Sequence, residues 1–421
     1  MKITTFKELE TVPLAALKKM LARFGKGGRK RREKRKNLKN LKVGFFTDTY
    51  LPNVDGVVSS ILSFRKELEA RGHEISILAS GTEEDEKGNL DDDVFFFKSV
   101  KFPPYPQYKI ALFPFNAAKI AKEENLEIIH SHAIASMGLA AIGAAKELNL
   151  PLVGTFHTMV PRAGMLFSRS EITKEIFSKM AWRTIREFYR PYDLVTAPTE
   201  TIRKMMNENG IANVEVVPNG IDAKKFSPKN NGKYFREMLG IAKNERMVLT
   251  AGRISDEKNV DVIVKAAKEV LKEENAKFVI MGDGPAKQAI AKLVKEEGLE
   301  KKVVFVGFVK DFEVPYFYAA TDAFVTASTF ETQGLALLEV MASGKVCVGA
   351  DALAIPELLN GRNGFLFEAG NSEACSEAIL KALSMEGSKK REMERRARNT
   401  ALNYTIKKST DRLLKAYGKV I

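Results

Sequence analysis

Cysteine is almost absent: the 421 residues contain two, Cys347 and Cys375. Two thiols build no disulfide framework and match no zinc-ligand spacing, so a reducing compartment and two small buried residues are the ordinary reading. Long apolar runs are missing as well. None approaches the ~20 residues that a membrane-spanning helix needs. Lys7, Glu8, Glu10, Lys18 and Lys19 interrupt the first 24 residues, which argues against a secretory signal. There is no GxxxxGK[ST] phosphate loop, so a bound diphosphate would need another device.

Charge is present but unevenly placed. The net charge is +14, and residues 1–42 hold 15 Lys/Arg against 3 Asp/Glu, a balance of +12 that leaves +2 for the other 379 residues. This is a nearly neutral body with a basic extension. In residues 1–40, Leu14, Leu17, Met20, Leu21 and Phe24 fall near one helical face, and GKGGRKRREKRK follows. An apolar stripe beside a polybasic run suits an anionic membrane surface. A solvated leader and a nucleic-acid arm are the other readings of this composition, and nucleic acid is not expected as a partner.

From residue 41 the pattern becomes short β-rich runs alternating with amphipathic stretches. The runs are LKVGFF (41–46), EISILAS (74–80), EIIHSH (127–132), PLVGTF (151–156), DLVTAP (193–198) and VEVVPN (214–219). The rhythm restarts with RMVLTA (246–251), KFVIMG (277–282), KVVFVG (302–307), DAFVTAS (322–328), VCVGA (346–350) and GFLF (364–367). Such alternation predicts βαβ units and parallel sheets in two doubly wound α/β domains. The expected division is a basic extension over 1–40, a first domain over 41–218 and a second over 219–403. A C-terminal helix of about 404–421 is expected to pack back on the first. Ligands of such sheets bind outside the carboxyl ends of the strands.

Several segments at strand ends carry chemistry. AGRISDEKNV (251–260) puts Arg253 and Lys258 on one loop, where both can address an anion; two solvated cations are the plain alternative. MGDGPAKQ turns on Gly282 and Gly284, either as a tight turn or as a place where backbone N–H groups meet a phosphate. Gly56 opens a helix whose N-terminus favours anions. His130 and His132 alternate by two and share a sheet face, but no third metal ligand accompanies them, and no metal is expected. His157 ends another strand, as a ligand contact or a structural histidine. In STFETQGLALLEV (328–340), Glu331 precedes a helix opened by Gly334. Glu339 lies inside that helix among apolar neighbours, where an unpaired charge is costly. A surface Glu331 and a partly exposed helical Glu339 are the plain alternative.

In order, TDTYLPNVDGV (47–57), HSH with Gly138, TFHT, VPNGID (217–222), GRISDEKN (252–259), GDGP (282–285) and ETQGLALLE (331–339) resemble the retaining GT-B glycosyltransferases of family four, the glycogen-synthase-like group. The resemblance covers roughly residues 41–421. It implies two Rossmann-like domains facing across a cleft, with a nucleotide-diphosphate sugar as the donor substrate and no other cofactor. By that resemblance Arg253 and Lys258 hold the diphosphate, Glu339 takes the ribose hydroxyls, and Glu331 with the backbone of Thr332, Gln333, Gly334 and Leu335 meets the transferred sugar. His157 stands beside the sugar, and Gly56, Asn219, Gly282, Gly284 and Val309 complete the donor contacts. Lys345 departs from the pattern, standing where the family commonly has proline.

The first motif resembles most the branch of α-mannosyltransferases and glycolipid synthases. KFPPYPQYKIALFP (101–114) offers Lys101, Phe102, Tyr105, Tyr108 and Lys109 as a lipid-phosphate entrance or as plain loop packing. Residues 162–192 carry seven Arg/Lys and the single Trp182, and suit a membrane-facing surface or a helix packed on the sheet. With the basic stretch 389–398, these features favour transfer to a membrane lipid by a peripheral enzyme on the cytoplasmic face. The rivals are transfer to a soluble sugar or sugar phosphate, a GT-B isomerase or phosphorylase, and a non-catalytic anion or nucleic-acid binder.

Overall fold

The computed structural model describes residues 38–53, 55–101, 109–112, 114, 116–159 and 171–421. The polybasic run, Phe102, Tyr105, Tyr108 and residues 162–170 lie outside them. The described chain forms two compact units. One comprises the residues up to Pro198 with Arg203–Val217 and Thr410–Ile421; the other comprises Thr199–Ile202 and Pro218–Ser409. Among the described residues no helix is long and apolar enough to cross a membrane.

The first unit is an eight-stranded sheet. Its strands are β1 (Lys42–Thr47), β2 (Glu74–Gly81), β3 (Val94–Lys101), β4 (Lys109–Ala111), β5 (Ile128–Ser131), β6 (Leu152–Thr155), β7 (Leu194–Ala197) and β8 (Val214–Val216). Their order is β4-β3-β2-β1-β5-β6-β7-β8. All pairs are parallel except β3–β4, where Ser99 faces Ala111 and Lys101 faces Lys109. β3 and β4 were not among the expected strands. β1 and β5–β7 are buried almost throughout, because helices cover both faces of a parallel sheet.

The second unit carries β9 (Arg246–Ala251), β10 (Ala276–Met281), β11 (Val303–Gly307), β12 (Ala323–Thr326), β13 (Val346–Ala350) and β14 (Phe365–Phe367), all parallel. Their order is β11-β10-β9-β12-β13-β14. Alternate residues feed two separate cores. Val248, Phe278, Ile280, Val325 and Val348 face the helices Val260–Glu273 and Ser372–Leu383. Met247, Leu249, Val279, Phe324 and Cys347 face the helices Val314–Ala320 and Leu335–Ala342. Period-two alternation with both faces apolar is what a doubly wound sheet requires. Cys347 and Cys375 are both buried and unpaired.

In each sheet the strand order reverses once, between β1 and β5 and between β9 and β12. Crossovers run to opposite sides at such a point, which opens a crevice beyond the strand ends.

Candidate active site

At the reversal of the first sheet the loop after β1 is tied to the helix Ser136–Glu147 that follows β5. Asp48, just after β1, accepts hydrogen bonds from Ala135 N (2.9 Å), Met137 N (2.9 Å) and Ser136 Oγ (3.0 Å) at the start of the helix Ser136–Glu147. Burial pushes its carboxyl up despite these bonds. Beside it, the helix Gly56–Ala70 is capped by Asp55, whose Oδ1 accepts from Val57 N and Val58 N at 2.8 and 2.9 Å. The anion expected at the Gly56 helix is thus supplied by the chain itself. Gly56 has open space where a side chain would stand.

His157 follows β6, with its Nε2 2.9 Å from Nδ1 of buried His132. His132 lies against His130 with ring centroids 4.2 Å apart and the rings tilted by 34°. His130 is held by the Tyr417 phenol at Nδ1 (2.8 Å) and Thr155 Oγ1 at Nε2 (2.7 Å). Burial lowers all three imidazoles, His157 to about 4 and His130 to about 3, so each is neutral at pH 7. The shared face expected for His130 and His132 is present. Among the described residues no trio of His, Cys, Asp or Glu is placed to hold a metal.

The reversal of the second sheet holds the other expected residues. Lys258, on the loop after β9, forms an ion pair with Glu331, on the loop after β12. Burial pushes the Glu331 carboxyl up, but the Lys258 charge and hydrogen bonds from Lys258 and Ser328 outweigh it, so it lies below its ordinary value. Asn259 stitches the same two loops: held at φ 47°, it donates to Ala327 O (3.1 Å) and Thr329 Oγ1 (3.2 Å). Arg253, on the Lys258 loop, is exposed and has no ion-pair partner among the described residues.

Gly334, at φ +86°, turns the chain into the helix Leu335–Ala342, whose N-terminus has no side-chain cap. Leu335 is the first residue of that helix. Gln333 is buried and its amide clasps the Asn219 backbone, accepting from N at 2.8 Å and donating to O at 2.9 Å. The Thr332 carbonyl accepts from Thr199 Oγ1 at 3.0 Å. Gly282 and Gly284 have a steric reason: a Cβ there would lie 1.9 Å from Gly252 O and 2.3 Å from Ile254 O. Val309 is partly buried against the core under Leu335.

Glu339 lies in the second turn of the helix, partly buried. Tyr318, which the sequence reading did not single out, donates its phenol to Glu339 Oε2 at 3.0 Å. Burial raises the Glu339 carboxyl to about 7, against the pull of that bond and of Lys225. A signal for Tyr318 existed: a tyrosine in an otherwise apolar helix face needs a partner for its hydroxyl.

Where the sequence left two readings open, the packed one fits the structure at two places. Trp182 is buried and stacks on Phe156 with centroids 5.9 Å apart, and the helix Glu171–Tyr189 packs on the sheet through Ile185, Phe188 and Tyr189 while Ile176 and Met180 remain exposed on it. Lys109 is buried and paired with Asp85, so it is not presented to a lipid phosphate. In the basic stretch 389–398, Arg395 and Arg396 bind Glu392, and Arg398 turns inward to the carbonyls of Ala342 and Phe226. Lys345, at the position where proline is common, donates to Ala319 O at 2.6 Å.

The chain matches two family models, Glycosyltransferase Family 4 over residues 54–225 and Glycosyl transferases group 1 over residues 233–400. It is 34% identical over 311 residues to an alpha-monoglucosyldiacylglycerol synthase of Streptococcus pneumoniae, covering 72% of this chain and 70% of that one. The chain belongs to glycosyltransferase family four. The family-four chain is also 25% identical over 332 residues to a GDP-mannose-dependent alpha-mannosyltransferase of Corynebacterium glutamicum, covering 78% of this chain and 77% of that one. Its fold matches Anabaena Alr3699/HepE, solved in complex with UDP, with a TM-score of 0.72 at 21% identity, covering 90% of this chain and all of that one. The GT-B architecture expected from the motifs is therefore present, and the protein is a glycosyltransferase.

Proposed function

We propose that this glycosyltransferase moves a hexosyl group from a nucleoside-diphosphate sugar to a membrane lipid or lipid-linked acceptor, with retention at the anomeric carbon and without a divalent metal. The observation that carries the donor half is the Lys258–Glu331 pair at the strand reversal of the second sheet, with exposed Arg253 on the same loop. A cationic pair at a crevice can neutralise the charge that develops on a leaving diphosphate. In this reading Arg253 and Lys258 hold the diphosphate, Glu331 and the backbone of Thr332–Leu335 meet the sugar, and Glu339 binds the ribose hydroxyls. His157 serves the sugar as a neutral hydrogen-bonding group. The acceptor oxygen bonds to the anomeric carbon on the face from which the diphosphate leaves, and its proton passes to a phosphate oxygen.

The acceptor half is supported by the relatives: the streptococcal protein and one from Acholeplasma laidlawii, 28% identical over 338 residues, are both named alpha-monoglucosyldiacylglycerol synthase. A polybasic extension over residues 1–40 suits contact with the anionic inner face of the cell membrane. The test is transfer measured by mass spectrometry over a panel of nucleotide sugars, with diacylglycerol in anionic vesicles or free hexoses as acceptors, with and without EDTA. Glycolipid formation that survives EDTA and falls at least ~100-fold in Arg253→Ala and Lys258→Ala is expected. Undiminished turnover in both variants would refute the site, and transfer to free hexoses alone would refute the lipid acceptor.

A further inference from the structure

We propose that Tyr318 is the positioning residue for donor recognition: its phenol locks one oxygen of Glu339, leaving the other to receive the vicinal hydroxyls of a nucleotide ribose. This rests on the reading of Glu339 as the ribose ligand. The support is geometric. Tyr318 is buried in the helix Val314–Ala320, and its ring is wedged between Phe226, with centroids 5.7 Å apart, and Phe324, at 6.4 Å. Such a ring has little freedom, so its hydroxyl is a fixed point 3.0 Å from Glu339 Oε2. Glu339 is on a different helix, one that presents its partly apolar side to the same core. An unsupported carboxylate there has two rotatable oxygens among apolar neighbours. With Oε2 held, the second oxygen is aimed without further ordering.

A bond to a phenol also keeps the carboxylate charged, which a pair of ribose hydroxyl donors requires. The charged groups acting on Glu339 are few. Lys225 favours its ionised form, but Lys225 is itself paired with exposed Asp311 at 2.6 Å, and Asp311 opposes ionisation. The phenol is therefore the strongest stabilising influence against burial, which together leave the carboxyl at about 7. Sign follows directly. Nucleotide affinity is full above that value and falls as pH drops through it, because the protonated acid accepts fewer hydrogen bonds. Without the phenol the carboxyl titrates higher, and the fall begins at higher pH.

The experiment is calorimetric titration of the full chain with UDP and with GDP from pH 5.5 to 8.5, for wild type, Tyr318→Phe and Glu339→Gln. Phenylalanine keeps the ring and its packing, so the fold survives. Expected for Tyr318→Phe is about tenfold weaker binding at pH 7 and a breakpoint raised by about one pH unit, with the thermal midpoint little changed. Glu339→Gln is expected to bind weakly and to keep only the breakpoint at about pH 6 that the nucleotide's own terminal phosphate gives in every variant. If Glu339→Gln binds like wild type, the ribose reading fails and the inference with it. If Glu339→Gln is weak while Tyr318→Phe keeps the wild-type breakpoint, the ribose reading stands and the role of Tyr318 is overturned.

Discussion

At the scale of the residue, the partly buried carboxylates of the candidate site already have partners, while Arg253 stands exposed. Glu331 is partly buried, and its low carboxyl value depends on Lys258. Replacing Lys258 with methionine keeps the stem and removes the charge. Burial, the largest influence, is then opposed only by the smaller Ser328 hydrogen bond, and the Glu331 carboxyl rises above its ordinary value. In the wild type the pair stabilises the fold above the unfolded carboxylate value and that contribution is lost as pH falls through the lower folded one. In Lys258→Met the sign reverses, and stability declines as pH rises past the ordinary value. The two proteins are therefore expected to differ by about 1–3 kcal/mol at pH 7, a little under the range for breaking a fully buried pair. They should converge towards pH 3. Urea denaturation of both at pH 7 and pH 3.5 measures this, and a gap that did not narrow in acid would contradict the assignment.

At the scale of the element, what was legible followed from local pattern. β9 and β13 begin and end where the apolar runs RMVLTA and VCVGA do, since each is short, β-branched and closed by small or polar residues. The start of the Glu339 helix was legible because Gly334 must take a left-handed conformation there. β4 was not: three residues carry no period, and its place is set by antiparallel pairing with β3 and by the Lys109–Asp85 pair, neither of which leaves a local trace. The six-residue helix Lys233–Met238 was missed for the same lack of length. In the site, the residue types were legible and their partners were not. Glu331 finds Lys258 across 73 positions, and Gln333 finds Asn219 across 114. The Gly56 helix shows the consequence. Its N-terminus read as an anion site, and the structure seats Asp55 there. Asp55→Ala should lower stability by about 1 kcal/mol, the usual worth of such a cap. If Asp55 only caps this helix, phosphate should not restore the loss; recovery of stability in millimolar phosphate would return the helix terminus to the list of anion sites.

At the scale of the whole molecule, a late helix returns to the first unit. The helix Ile406–Tyr417 starts among residues of the second unit, and from Thr410 onward the chain belongs to the first. Leu413, Ala416 and Tyr417 enter the core formed by Val43, Phe45, Ile61 and Ile128. Tyr417 is fully buried, lies edge-on to His130 with centroids 5.7 Å apart, and holds its Nδ1 at 2.8 Å. Tyr417 is thus a core residue of the first unit, contributed from the far end of the second. Tyr417→Ala is expected to cost about 3–5 kcal/mol, the range for deleting a buried aromatic ring. Tyr417→Phe should cost about 1–3 kcal/mol, because the buried His130 nitrogen loses its partner while the ring remains. Chains of two units need not unfold in one step, so the measurement is amide hydrogen exchange resolved by segment. Protection should fall in β1, β5 and β6 and hold in β9, β10 and β12. Equal losses in both sets would mean that the two units unfold as one, and unchanged protection in β5 would show that the terminal helix is dispensable to the first sheet.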